Sequence, residues 1–110
     1  MPTFNSHLGL RAGAEPGSVS LDTKPEHEVM PGTIHFAVLA TLAEVAAASA
    51  AQAAVVPTAL SLQLLRRAHP GALEGRGRVL KAGRTLIFAE GEVHQDGELV
   101  AKAAVTFARV

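Results

Sequence analysis

Between Pro31 and Gln52 the chain runs PGTIHFAVLATLAEVAAASAAQ, and its single acidic side chain is Glu44. A carboxylate set among alkyl groups is poorly solvated. Its pKa rises, which suits it to take a proton from water near neutral pH or to attack a carbonyl directly. The competing reading is a carboxylate held by an arginine or capping a neighbouring element. If residues 34 to 52 wind as one helix at roughly 100° per residue, Ala37, Ala40, Thr41, Glu44, Ala48 and Ala51 share one face. Ile34, Val38, Leu42, Val45 and Ser49 lie on the other side and are expected to pack against a sheet. Glu44 therefore sits on a strip of small residues that another backbone or a slender ligand can approach.

The histidines add less. His35 stands about 180° around the helix from Glu44, so a dyad within one chain is not expected, and a role at the start of the helix fits it better. His27, in the loop ahead of the helix, is expected to be exposed and within reach of a pocket mouth. His7, His69 and His94 are widely spaced and lack partner ligands, so neither a metal site nor a cofactor is expected.

The elements that must position these groups follow from periodicity and turn chemistry. Leu8 to Ala14 and Ser18 to Thr23 read as two short strands around Glu15-Pro16-Gly17. Lys24 to Gly32, with two prolines and a glycine, reads as a loop without regular structure. After the helix, Thr58 to Arg66 alternates with Leu60, Leu62 and Leu64 on one face, the period of a strand. His69-Pro70-Gly71 then turns the chain into Leu73 to Lys81, and Ala82-Gly83-Arg84 turns it into Thr85 to His94. Asp96-Gly97 signals a hairpin before Leu99 to Val110. Arg76 and Arg78 are expected to face Glu90 and Glu92 across neighbouring strands, an ion-pair ladder of modest value. Two strands, one long helix and four strands joined by short turns make an α+β domain, an antiparallel sheet of about five to six strands curved around one helix.

Length and composition bound the rest. A chain of 110 residues reads as one domain, residues 1–110, burying roughly two thirds of the surface its unfolded form exposes. With 48% hydrophobic residues but only four aromatics, all Phe, the core must be built from Ala, Val, Leu and Ile, and association between copies is a natural way to bury more area. Ten basic and ten acidic residues leave no net charge, which argues against a nucleic-acid partner. The absence of cysteine fits a reducing interior, no leader is evident, and a cytoplasmic location is expected. His35 and Glu44 within the alanine-rich helix argue against a membrane span.

The run Gly32-Thr33-Ile34-His35-Phe36-Ala37, followed by Leu39, Leu42, Ala43 and Glu44, carries a further signal. So do Leu65-Arg66-Arg67-Ala68 before Pro70-Gly71, Gly83-Arg84-Thr85-Leu86, and Asp96-Gly97-Glu98-Leu99-Val100-Ala101. In this order and spacing they resemble the hotdog-fold acyl-CoA thioesterases, especially the small PaaI-like branch. The resemblance implies a helix wrapped by a curved sheet, a homodimer joined edge to edge and often paired again into a tetramer, and an active site at the dimer interface near the start of the helix. It implies an acyl-CoA or other thioester substrate.

Position by position, the helix acid of relatives stands nine residues after the motif histidine, as Glu44 does after His35. The position after that histidine is typically glycine, whose N–H polarises the thioester carbonyl; here it is Phe36, which keeps the backbone donor and adds a ring. Three residues before Gly32, where many relatives have Asn or Gln, this chain has Val29. His27, Val29, Met30, Gly32 and His35 fall on the substrate side of the motif, with Met30 and Phe36 candidates for an acyl channel. Arg66, Arg67 and Arg84 are candidates for the phosphates of coenzyme A, which guanidinium forks suit. Two rival readings stand beside hydrolysis. One is a non-catalytic acyl- or CoA-binding hotdog protein. The other is a hotdog dehydratase or hydratase, suggested by Asp22 five residues before His27 and by Val29-Met30-Pro31-Gly32; dehydratases, however, place their helix acid where this chain has Ala37.

Overall fold

The computed structural model describes residues 3–110. In chain order the elements are α1 (Phe4–Leu8), β1 (Arg11–Ala12), β2 (Ser18–Asp22), a single 3-10 turn (Pro25–His27), β3 (Glu28–Met30), β4 (Thr33–Ile34), α2 (Phe36–Ala51), β5 (Val55–Leu64), β6 (Ala72–Ala82), β7 (Leu86–Gln95) and β8 (Glu98–Arg109). One six-stranded antiparallel sheet has the order β1-β2-β6-β7-β8-β5, and β3 with β4 forms a separate hairpin. The long helix lies across one face of the sheet, the α+β architecture expected. No helix among the described residues is long and apolar enough to cross a membrane.

The alternation read along β6, β7 and β8 is the alternation of burial. Leu73, Ile87, Ala89, Val93, Ala101, Ala103, Val105 and Phe107 point under the helix, and Leu21 of β2 joins them. The helix meets this floor through Val38, Leu39, Leu42, Ala43, Ala46 and Ala47. The packed stripe is thus rotated from the bulky one expected: Val45 and Ser49 are only part-buried, and alanines take the central contacts. Glycine explains the rotation. A Cβ on Gly77 would overlap the Ala46 carbonyl, and one on Gly91 the Ala43 carbonyl. Helix backbone therefore rests on strand backbone, a fit that only small residues on both sides allow.

Three other expectations are corrected. Leu8 to Ala14 is not one strand: Thr3 and Ser6 form a capping box that starts α1, and Gly9 at φ +94° ends it, leaving two residues for β1. Lys24 to Gly32 is not irregular either. Pro25 sits at the start of the 3-10 turn and Pro31 in the hairpin bend, where neither lost N–H is needed, and Gly32 supplies the positive φ of +85°. Finally, β5 begins before Pro57 and carries a register shift between Pro57 and Ala59, which an edge strand tolerates.

The charged ladder lies on the sheet face away from the helix. Arg78 pairs with Glu90 at 2.8 Å, Lys102 reaches both Glu90 and Glu92, and Arg76 turns to Glu74 at 3.6 Å although its register partner is Glu92. The hydrogen bond from Arg78 holds the Glu90 carboxyl below its usual range.

Candidate functional site

The start of α2 is built by the residues before it. His35 is the N-cap, and its Nδ1 accepts the Ala37 N–H at 3.0 Å. Its own N–H donates to the His27 carbonyl at 2.9 Å, while the ring stacks on Phe36 with centroids 4.8 Å apart. Phe36 is then the first helical residue, and its N–H finds no acceptor among the described residues. An unbonded amide at a helix N-terminus, with the dipole behind it, is a place for developing negative charge.

Beside that amide opens a cleft of about 280 Å³, lined by Thr33, Ile34, Phe36 and Leu39 on one side and by Leu64, Leu65, Arg66, Arg67 and Ala68 on the other. Its lining is mainly apolar, with two guanidinium-bearing residues at the rim. Arg66 pairs with Glu98 at 3.0 Å, and no ion pair of Arg67 occurs among the described residues. A second, more polar cleft of about 550 Å³ shares Arg66 and Arg67 and continues to His69, Asp96 and Glu98. The two arginines therefore stand between an apolar slot and an open polar surface.

Glu44 lies two turns further along α2, on the side away from the sheet. Burial pushes its carboxyl above the ordinary value near 4.5, and desolvation is the only cause. The arginine partner of the competing reading is not found among the described residues. Eight residues at 1.5 Å rise separate Glu44 from Phe36 by roughly 12 Å along the axis, and Glu44 does not line the cleft.

The remaining candidates divide. Gly32 forms the β3–β4 bend, its N–H donating to Glu28 Oε1 at 2.8 Å. Val29 and Met30 are exposed on β3 and stand outside the cleft lining. His27 is not the exposed loop histidine expected. It is 6% exposed, its Nδ1 accepts the Lys24 N–H, and its carbonyl anchors the His35 N–H. Arg84 lies in the β6–β7 turn, at the far end of β6 from Arg66 and Arg67 and roughly 30 Å away along the strand; within one chain it does not join them. Leu64 and Leu65 were not singled out as site residues. The signal for them is the run Leu64-Leu65-Arg66-Arg67, apolar then basic ahead of a turn, of which the sequence singles out only the two arginines for a site role. No cluster of three or more His, Cys, Asp or Glu able to hold a metal occurs among the described residues.

The fold recurs among known proteins. No protein of curated function matches the chain. Among solved structures it is similar to a variant of the phenylacetic acid degradation protein PaaI from Thermus thermophilus, at 25% identity and a TM-score of 0.84, over 97% of this chain and 98% of that one. It is similar to the PaaI protein of Escherichia coli at 22% identity and a TM-score of 0.88, over 96% and 83% of the two chains. It is also similar to a thioesterase from Haemophilus influenzae at 18% identity and a TM-score of 0.86, over 96% and 81%. These last two speak to the fold. The family profile described as Thioesterase superfamily matches residues 31–102, from the bend before α2 into β8. The chain, a hotdog fold of the PaaI-like kind, belongs to the thioesterase superfamily.

Proposed function

We propose that the protein hydrolyses an acyl-CoA thioester as a homodimer, with Glu44 of one protomer acting together with the Phe36 amide of the other. The observation that carries this is the separation of those groups. A thioester carbonyl must sit within about 3 Å of its oxyanion donor and of the water or carboxylate that attacks it. Roughly 12 Å of helix between the two backbone positions makes that a long reach within one chain, whereas a two-fold axis that sets two α2 helices antiparallel brings one chain's Glu44 toward the other's helix start.

The free edge supports such an axis. β5 is a ten-residue edge strand with no charged residue to guard it. Leu60 and Leu64, on the helix side of the sheet by their register with Val105 and Ala101, are 43% and 52% exposed. Pairing β5 with its own copy satisfies the edge and covers these leucines. The resulting dimers have a further face for pairing into a tetramer, the outer side of the sheet.

In the reaction Glu44 takes a proton from water as the oxygen adds to the carbonyl carbon, and the C=O electron pair moves to an oxyanion held by the Phe36 N–H. Collapse breaks the C–S bond and the thiolate takes up the proton. Direct attack by the Glu44 carboxylate, with water then cleaving the anhydride, uses the same two groups. The cleft receives the acyl-pantetheine arm, with Arg66 and Arg67 toward the phosphates.

The test is thiol release from a panel of acyl-CoAs by wild type and Glu44→Gln. Turnover by wild type that falls about a hundredfold or more in the variant is expected. No turnover by wild type, or equal turnover by both, sinks the mechanism. A binding-only role is the second reading, favoured by the Phe36 ring at the cleft, 55% exposed at a position where the family resemblance implies glycine; CoA affinity without turnover would establish it.

A further inference from the structure

We propose that Gln95 is a positioning residue that sets the width of the substrate cleft and holds the start of α2 against it, an inference that rests on the thioester reading of that cleft. Gln95 and His27 are the two buried polar or charged residues among those described, and Gln95 is 8% exposed. Its side-chain amide meets one backbone unit twice. The His69 N–H donates to Oε1 at 2.9 Å, and Nε2 donates to the His69 carbonyl at 2.7 Å. The amide thus pairs with the loop as a neighbouring strand would.

That loop is a wall of the cleft. Leu65 and Arg66 both donate their N–H to the Val100 carbonyl, at 2.9 and 3.2 Å, so Leu65 to His69 is hung between Val100 at one end and Gln95 at the other. From the Gln95 end the contact passes to the opposite wall. The Ala68 carbonyl accepts the Ile34 N–H at 3.0 Å, and the His69 ring lies 3.4 Å from the Gly32 carbonyl. Ile34 is two residues before Phe36. A side chain at the end of β7 therefore fixes the loop that carries Arg66 and Arg67 and, through Ala68, the segment that aims the Phe36 N–H.

Only a group that donates and accepts side by side fills this place. A carboxylate would accept from the His69 N–H but set lone pairs against the His69 carbonyl; protonated, it would again do both. Gln95→Glu is thus nearly isosteric and switchable, and Gln95→Ala removes the clamp at every pH.

The experiment measures Ile34 amide hydrogen exchange by NMR, together with kcat and KM on an acyl-CoA, each variant compared with wild type at the same pH. At pH 8 both variants are expected to exchange Ile34 about tenfold faster while the core amide of Val105 is unchanged. Their kcat/KM is expected to fall about tenfold, with KM rising as the arginine wall loosens. At acid pH Gln95→Glu should return toward wild type in Ile34 exchange and Gln95→Ala should not, and unchanged Val105 exchange throughout separates this from a general change of stability. Unchanged Ile34 exchange in both variants overturns the proposal, as does undiminished kcat/KM in an active enzyme. If wild type releases no thiol, the functional reading falls alone, and Ile34 exchange still decides whether Gln95 holds the cleft.

Discussion

The Phe36 amide and the Glu44 carboxylate stand on one helix with eight residues of rise between them, roughly 12 Å apart along its axis and each without a hydrogen-bonding partner of its own among the described residues. In the proposed dimer the two groups would act together across two chains.

The amide is testable without disturbing the helix. Proline is tolerated at the first helical position because that N–H is not needed by the helix, and His35 already has the extended backbone that precedes proline, at φ −63° and ψ 139°. Phe36→Pro is expected to keep the melting temperature within a few degrees and to lower kcat by about 10² or more, while Phe36→Ala, which keeps the N–H, loses far less. Equal activity of the two variants in a thiol-release assay would remove the amide from the mechanism.

Mixing tests the shared site. Glu44→Gln and Phe36→Pro dimers, each inactive, should regain activity when their chains are exchanged, because half of the redistributed dimers carry one site with an intact Glu44 and an intact amide; the plateau is about a quarter of wild type. Continued inactivity after verified exchange would assign both groups to one chain.

Burial of Glu44 raises its folded-state pKa above the ordinary 4.5. The sign follows: the folded state holds the proton more tightly, so the stability Glu44 contributes is fully present below about pH 4.5 and is lost as pH rises through the folded value. Glu44→Gln is therefore expected to be more stable than wild type at pH 8 and to lose that advantage near pH 4 in urea titrations at the two pH values. The same raised pKa places the acid limb of the kcat/KM profile above the ordinary 4.5, and a limb at or below 4.5 would contradict it.

The contact of helix with sheet sets a stability prediction. Gly91→Ala places a methyl group against the Ala43 carbonyl, backbone on both sides, with no flexible side chain to yield. Overpacking of this kind costs about 3 kcal/mol or more. A shift of less than about 1 kcal/mol in denaturant unfolding would show that α2 can lift from β7.

Much of the fold was legible because β6, β7 and β8 each keep one face apolar, and turns such as Asp96-Gly97 mark their ends. The β3–β4 hairpin was hidden by its own prolines, which read as breakers although both fall outside the paired positions. The packed face of α2 was misread for a related reason: a stripe of bulky residues is a good guide only where side chains separate helix from sheet, and here Gly77 and Gly91 bring alanines to the front. Of the candidates, Glu44 stood out as a lone acid in the helix, while the part proposed for Gln95 had no local signal, since its partner at His69 is twenty-six residues away.

Where a layer of side chains separates a helix from its sheet, the gap can be adjusted one methylene at a time, and a lineage can retune its catalytic groups through small core substitutions. Backbone seated on backbone at Gly77 and Gly91 removes that freedom. On the proposed reading, selection for a different acyl group has no route through the floor of this domain, and change must fall on the rim, in the Leu64 to Ala68 segment and the β3–β4 hairpin, where residues can vary without moving Glu44.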